Sequence, residues 1–158
     1  MKIVKYRFNR KLGKVFLDEA GLLTEVGNSL RMIVLWASEP IWGKPFEIMP
    51  SQNWVQLTFI DELQGNWCYA VLSNGSTNAL LPWIAYRNLV EETNRLMGVV
   101  TTISFEEIEG KNQWFDYRFS GVSGASGLAD RMLNVIHGVD FPMIESLGLV
   151  NDTFAPLD

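Results

Sequence analysis

Short runs of alternating apolar and polar residues, separated by Gly and Asn, constrain this chain more than any other feature. In residues 2–8, Val4, Tyr6 and Phe8 alternate with Lys5 and Arg7, the period-two pattern of a half-buried strand. Residues 9–13 supply turn chemistry and residues 14–18 return as a second strand. Ala20-Gly21 and Gly27-Asn28 read as breaks. Residues 29–37, Ser-Leu-Arg-Met-Ile-Val-Leu-Trp-Ala, form a near-continuous apolar run, which suits a central strand covered on both faces. Residues 54–60 and 67–73 read as one hairpin, and residues 99–108 and 113–119 as another around Gly110-Lys111-Asn112.

Two segments carry the helical period instead. From Pro82 to Met97, the side chains Trp83, Tyr86, Leu89, Val90, Leu96 and Met97 share one arc, with Arg87, Asn88, Glu91, Asn94 and Arg95 opposite. Arg87 and Glu91 stand at i,i+4, and Gly98 follows where a left-handed residue commonly ends a helix. A second helix is expected over residues 126–137, stopped by Gly138, with a short helical turn after Pro142. Strands arrive as hairpins rather than alternating with helices. The expectation is therefore an α+β fold: a mainly antiparallel, strongly twisted sheet of about six or seven strands, with two principal helices packed on one face. One domain should span residues 1–158, with 150–158 as a loosely held tail.

The chain carries one His and one Cys in 158 residues. His137 and Cys68 are far apart and flanked by no motif, so a Ser-His-acid triad, a Cys-His dyad or a His/Cys zinc site has almost nothing to draw on. No metal and no cofactor is expected. Gly121-Val-Ser-Gly-Ala-Ser-Gly127 could hold an anion on its backbone N–H groups, but it lacks both the dinucleotide fingerprint and the nucleophile elbow. A flexible connection with Ser126 as helix cap accounts for it. His137, in the last turn of its helix, is explained by capping. Glu106, Glu107 and Glu109, and Glu91 with Glu92, read as solvated faces. Paired acids could support hydrolysis, yet nothing in the sequence sets two of them across a cleft. No catalytic residue is assigned.

Charge is uneven. Six Lys/Arg fall in the first 14 residues with no acid before Asp18, although the whole chain is acidic at −5. The basic residues alternate with apolar ones as on the outer face of a strand, and an acidic strand such as Glu106–Glu109 is a natural neighbour. Overall acidity argues against nucleic acid. The N-terminal Met-Lys-Ile-Val-Lys-Tyr-Arg-Phe lacks the apolar core of a signal peptide, and no run is long enough to span a bilayer. A cytoplasmic protein with no membrane association is expected.

Aromatic residues make up 12% of the chain, enough for a thick core and for a pocket. A sheet curled round the 82–97 helix would place Trp54, Trp67, Tyr69, Trp83 and Tyr86 around a space between helix and sheet. The connection from Glu39 to Asn53 holds three of the six prolines with Trp42, Phe46, Ile48 and Met49. It is longer than most loops of compact domains, and such loops are often lids or plugs. The reading is a non-enzymatic binding domain that takes a small apolar or aromatic ligand, or a protein partner, through Trp42, Phe46, Trp54, Trp67, Tyr69, Trp83 and Tyr86. A homo-oligomer would use the same surface. The alternative is a small carboxylate-dependent hydrolase or isomerase.

Overall fold

A computed structural model describes residues 3–43, 52–62, 64–75, 78–93, 95–107 and 114–124. They form nine strands: β1 (Ile3–Asn9), β2 (Lys14–Glu19), β3 (Leu22–Gly27), β4 (Ser29–Ala37), β5 (Ile41–Gly43), β6 (Gln52–Asp61), β7 (Trp67–Ser73), β8 (Val99–Glu107) and β9 (Phe115–Ser123). One α-helix, α1 (Leu81–Thr93), and a single 3-10 turn, Leu96–Gly98, stand between β7 and β8. The strands make one sheet in the order β3-β2-β1-β7-β6-β4-β8-β9, with β5 also paired to β6. Every pair is antiparallel except β1 with β7, which run parallel from Ile3 opposite Trp67 to Lys5 opposite Tyr69.

This corrects the α+β expectation of two helices on an antiparallel sheet of six or seven strands. Strands account for 63% of the described residues, so the architecture is a mixed, sheet-dominated one with a single helix among those residues. The two uncounted strands are physically weak signals. β3 is six residues between two glycine turns with most side chains exposed, and β5 has only three residues. The parallel pairing joins residues 64 apart in sequence, Ile3 with Trp67, which no local pattern reports. The expected helix over 126–137, the turn after Pro142, the tail 150–158 and His137 lie outside the described residues. α1 also stops at Thr93, and Gly98 ends the 3-10 turn without a left-handed backbone.

The sheet curls. At the start of β9, Phe115 donates its N–H to the Arg10 carbonyl at 2.8 Å, and Arg10 Nε donates back to the Phe115 carbonyl at 3.0 Å. The far end of the strand order thereby meets the β1–β2 turn. Asn9 Oδ1 shapes that turn by accepting from the N–H groups of Lys11 and Leu12, both at 3.0 Å. Across the interior, the Tyr117 hydroxyl on β9 accepts from the Ser73 N–H on β7 at 3.1 Å.

Alternation then decides what the curl encloses. Val4, Tyr6 and Phe8 face inward with Leu30, Met32 and Val34, Val55, Leu57 and Phe59, and Cys68, Ala70 and Leu72. Lys5 and Arg7 stand on the opposite face of β1, where their partner is Asp18 of β2 rather than an acidic β8. Glu106 of β8 lies opposite Asp116. Helix α1 packs over the β8–β9 side: the Trp83 and Phe119 rings meet edge-on at 5.3 Å, and Tyr86 stacks on Phe119 at 5.7 Å. A Cβ on Gly121 would approach Tyr86 Oη to 2.5 Å, so β9 carries glycine there to let the helix sit down.

One carboxylate is enclosed with this core. Asp61, 1% exposed, accepts from the Gln64 N–H at 2.7 Å, the Tyr6 hydroxyl at 3.2 Å and the Cys68 thiol at 3.7 Å. It fixes the β6–β7 turn and anchors β1 to it. Burial, reinforced by the Asp61 charge, pushes the Cys68 thiol above its ordinary 9.0 and the Tyr6 phenol above its ordinary 10.0. Both therefore stay protonated in the folded state where the unfolded chain has begun to lose these protons. Stability should hold up to about pH 9 and fall above it, by at most about 1.4 kcal/mol per pH unit for each group. Urea unfolding of the wild type and Tyr6→Phe at pH 8 and pH 11 checks this. The stability advantage of the wild type should shrink as pH rises; an unchanged gap would show that the phenol does not contribute.

Candidate functional site

A groove runs along α1 where the helix faces the end of β4 and the connection to β5. Its larger part, about 590 Å³, is lined by Leu35, Trp36, Ala37, Leu96 and Met97 with Glu39, Arg87, Glu91 and Arg95. A smaller hollow of about 290 Å³ continues past Ser38 and Pro40 to Val55, Trp83 and Ile84, and it shares Glu39, Arg87 and Glu91 with the first. The larger hollow falls within the 300–1,000 Å³ range typical of small-molecule sites.

Local structure explains these walls. The β4–β6 ladder shifts register between Val34 and Trp36, with Val34 opposite Phe59 and Trp36 opposite Thr58. A bulge of this kind sets two residues against one. Leu35 packs with Ile33, Met97 and Val100 on the outer face, while Ala37 returns to the main core. Ser38 then ties the outgoing chain to β6, donating its N–H to the Gln56 carbonyl and accepting the Gln56 N–H on its hydroxyl, both at 2.9 Å. Glu39 and Pro40 are thus held beside α1, whose Trp83, Ile84, Arg87 and Glu91 follow at helical spacing on the groove side.

Arg87 lies at the junction of the two hollows. Its Nε donates to Glu91 Oε1 at 3.4 Å, the i,i+4 pair the sequence suggests. Its Nη1 stands 3.6 Å from Glu39 Oε1, beyond good hydrogen-bond range.

A second cleft, of about 640 Å³, lies on the outer face of β1 and β2, among Ile3, Lys5, Arg7, Asp18 and Tyr69. Arg7 Nε donates to Asp18 Oδ2 at 2.7 Å and Lys5 Nζ is 3.6 Å away. Burial raises the Asp18 pKa, but the Arg7 bond, the Gly21 N–H and the two cationic charges outweigh it and leave the carboxyl below its ordinary 3.8. The carboxylate also accepts the Gly21 N–H at 2.8 Å and so holds the β2–β3 turn. This cluster has a structural role that accounts for its geometry. Among the described residues, no three His, Cys, Asp or Glu side chains converge to hold a metal ion, and no helix is long and apolar enough to cross a membrane.

The aromatic residues singled out in the sequence are dispersed. Trp83 and Tyr86 come together, 6.2 Å between rings, and with Phe119 and Tyr117 they occupy the space between α1 and the sheet. Tyr86 shares a 2.7 Å hydrogen bond with Thr101. Trp54 is buried against Val71 apart from the main core, Trp67 is buried at the start of β7, and Tyr69 lines the second cleft. Trp42 is 69% exposed on β5. Phe46, Ile48 and Met49 lie outside the described residues, as do Glu109 and residues 125–127 of the glycine-rich turn. Arg87, Leu35, Trp36, Leu96 and Met97 were not read as site residues. Only the Arg87–Glu91 spacing and the position of Glu39 at the head of the proline-rich connection pointed their way. No protein-family model, curated protein or solved structure matches the chain.

Proposed function

We propose that this is a small-molecule binding protein that takes an apolar or aromatic ligand into the groove between α1 and the β4–β5 connection. The observation behind the reading is the groove itself. Two contiguous hollows have apolar walls built from Leu35, Trp36, Met97 and Ile84, on the end of β4, on α1 and on the 3-10 turn that follows it. Apolar side chains that line an open groove gain by covering a ligand what core side chains gain by covering one another.

Fluorescence titration with the neutral aromatic probe N-phenyl-1-naphthylamine tests it. A saturable rise in emission is expected in the wild type, and Ile84→Glu and Met97→Glu should each abolish it. Ile84 is partly exposed, so its substitution should change stability by no more than about 0.5 kcal/mol. A probe that binds both variants as it binds the wild type, or that never saturates, would remove the groove from consideration.

A further inference from the structure

We infer that the ligand of this groove carries a carboxylate, received by Arg87 in place of Glu39. This rests on the binding reading above and narrows its chemistry. Arg87 is the cation that lines both hollows. A guanidinium offers five N–H donors, yet among the described residues Arg87 makes one long hydrogen bond, from Nε to Glu91. Its side chain is only 26% exposed. A half-buried guanidinium with so few of its donors engaged has N–H groups left to offer an acceptor in the groove.

The two acids beside it play different parts. Glu91, one helical turn on, engages Nε at 3.4 Å, which leaves the Nη1/Nη2 edge to other partners. Glu39 faces that edge from 3.6 Å with its side chain 83% exposed. An exposed ion pair of this length contributes little, so Glu39 can leave at small cost. A ligand carboxylate would gain two short, parallel, charge-assisted bonds from the freed edge, while its apolar body lies against Leu35, Trp36, Leu96 and Met97. An ammonium group would fare worse, since it would sit beside Arg87 and strip it of a partner.

Displacement of N-phenyl-1-naphthylamine by decanoate and decylammonium below their micellar concentrations, and by decanol below its solubility limit, reads this directly in the unmodified protein. Decanoate should bind roughly tenfold or more tightly than decanol, with decylammonium weakest. Arg87→Gln should reduce decanoate affinity roughly tenfold and remove its advantage over decanol, and Glu39→Gln should raise decanoate affinity by removing its competitor. Equal affinities for decanoate and decanol, or a loss of both in Arg87→Gln, would overturn the carboxylate inference and leave the groove reading standing. If neither compound nor the probe binds, the groove reading fails and the inference fails with it.

Discussion

Trp83→Ala should destabilise the protein by about 3–5 kcal/mol, the range for emptying a buried indole site. Trp83 is 1% exposed and is the one fully buried side chain of α1. Its ring is the wedge between the helix and β9, edge-on to Phe119 and beside Tyr86. Without it, the Tyr86–Thr101 bond and the close approach over Gly121 lose the packing that holds them in place. At about 2–4 °C per kcal/mol for a chain of this size, the melting temperature should drop by roughly 6–20 °C. Trp83→Phe should lose much less, because a ring is kept. A melt of Trp83→Ala within 2 °C or so of the wild type would mean that the helix does not key into the sheet as described.

Arg10→Ala should be comparably severe, at about 3–5 kcal/mol, because it strips partners from a buried, multiply bonded charge site. Arg10 is 3% exposed; it donates to the Phe115 carbonyl, lies 3.8 Å from Asp116, and faces the rings of Trp114 and Tyr117 at 5.7 and 5.5 Å. Its Nη1 also fills the place a side chain on Gly75 would need. The guanidinium is thus the clasp by which the curled sheet reaches its own beginning. Arg10→Lys should recover little, since an ammonium can neither fork nor stack in the same way. Hydrogen exchange locates the damage: protection should vanish first in β9. Uniform loss across all strands, or a wild-type melt for Arg10→Lys, would refute the clasp.

Much of the ladder was legible because period-two alternation is a local signal. The strand over 29–37 and the hairpin arm over 67–73 have the predicted bounds, the 54–60 segment is longer by one or two residues at each end, and the 99–108 segment is strand over all its described residues, Val99–Glu107. α1 was legible from Trp83 and Tyr86, but its arc was drawn too wide: Leu89, assigned to the buried side, is exposed. What the sequence hid was long-range. Nothing near Arg10 announces that its partners are Phe115 and Tyr117. Nothing near Ile3 announces a parallel neighbour at Trp67. The groove was half legible. Glu39 opens the connection singled out for its prolines and aromatics, but the bulge that turns Leu35 outward depends on the register against β6, a property of two strands and not of one.

The parallel junction of β1 with β7 also orders events during synthesis. The meander β1–β2–β3 is contiguous in the sequence, yet the second edge of β1 has no strand to pair with until residues 67–73 have been made. A pairing across so long a stretch of chain raises the contact order that sets the pace of folding.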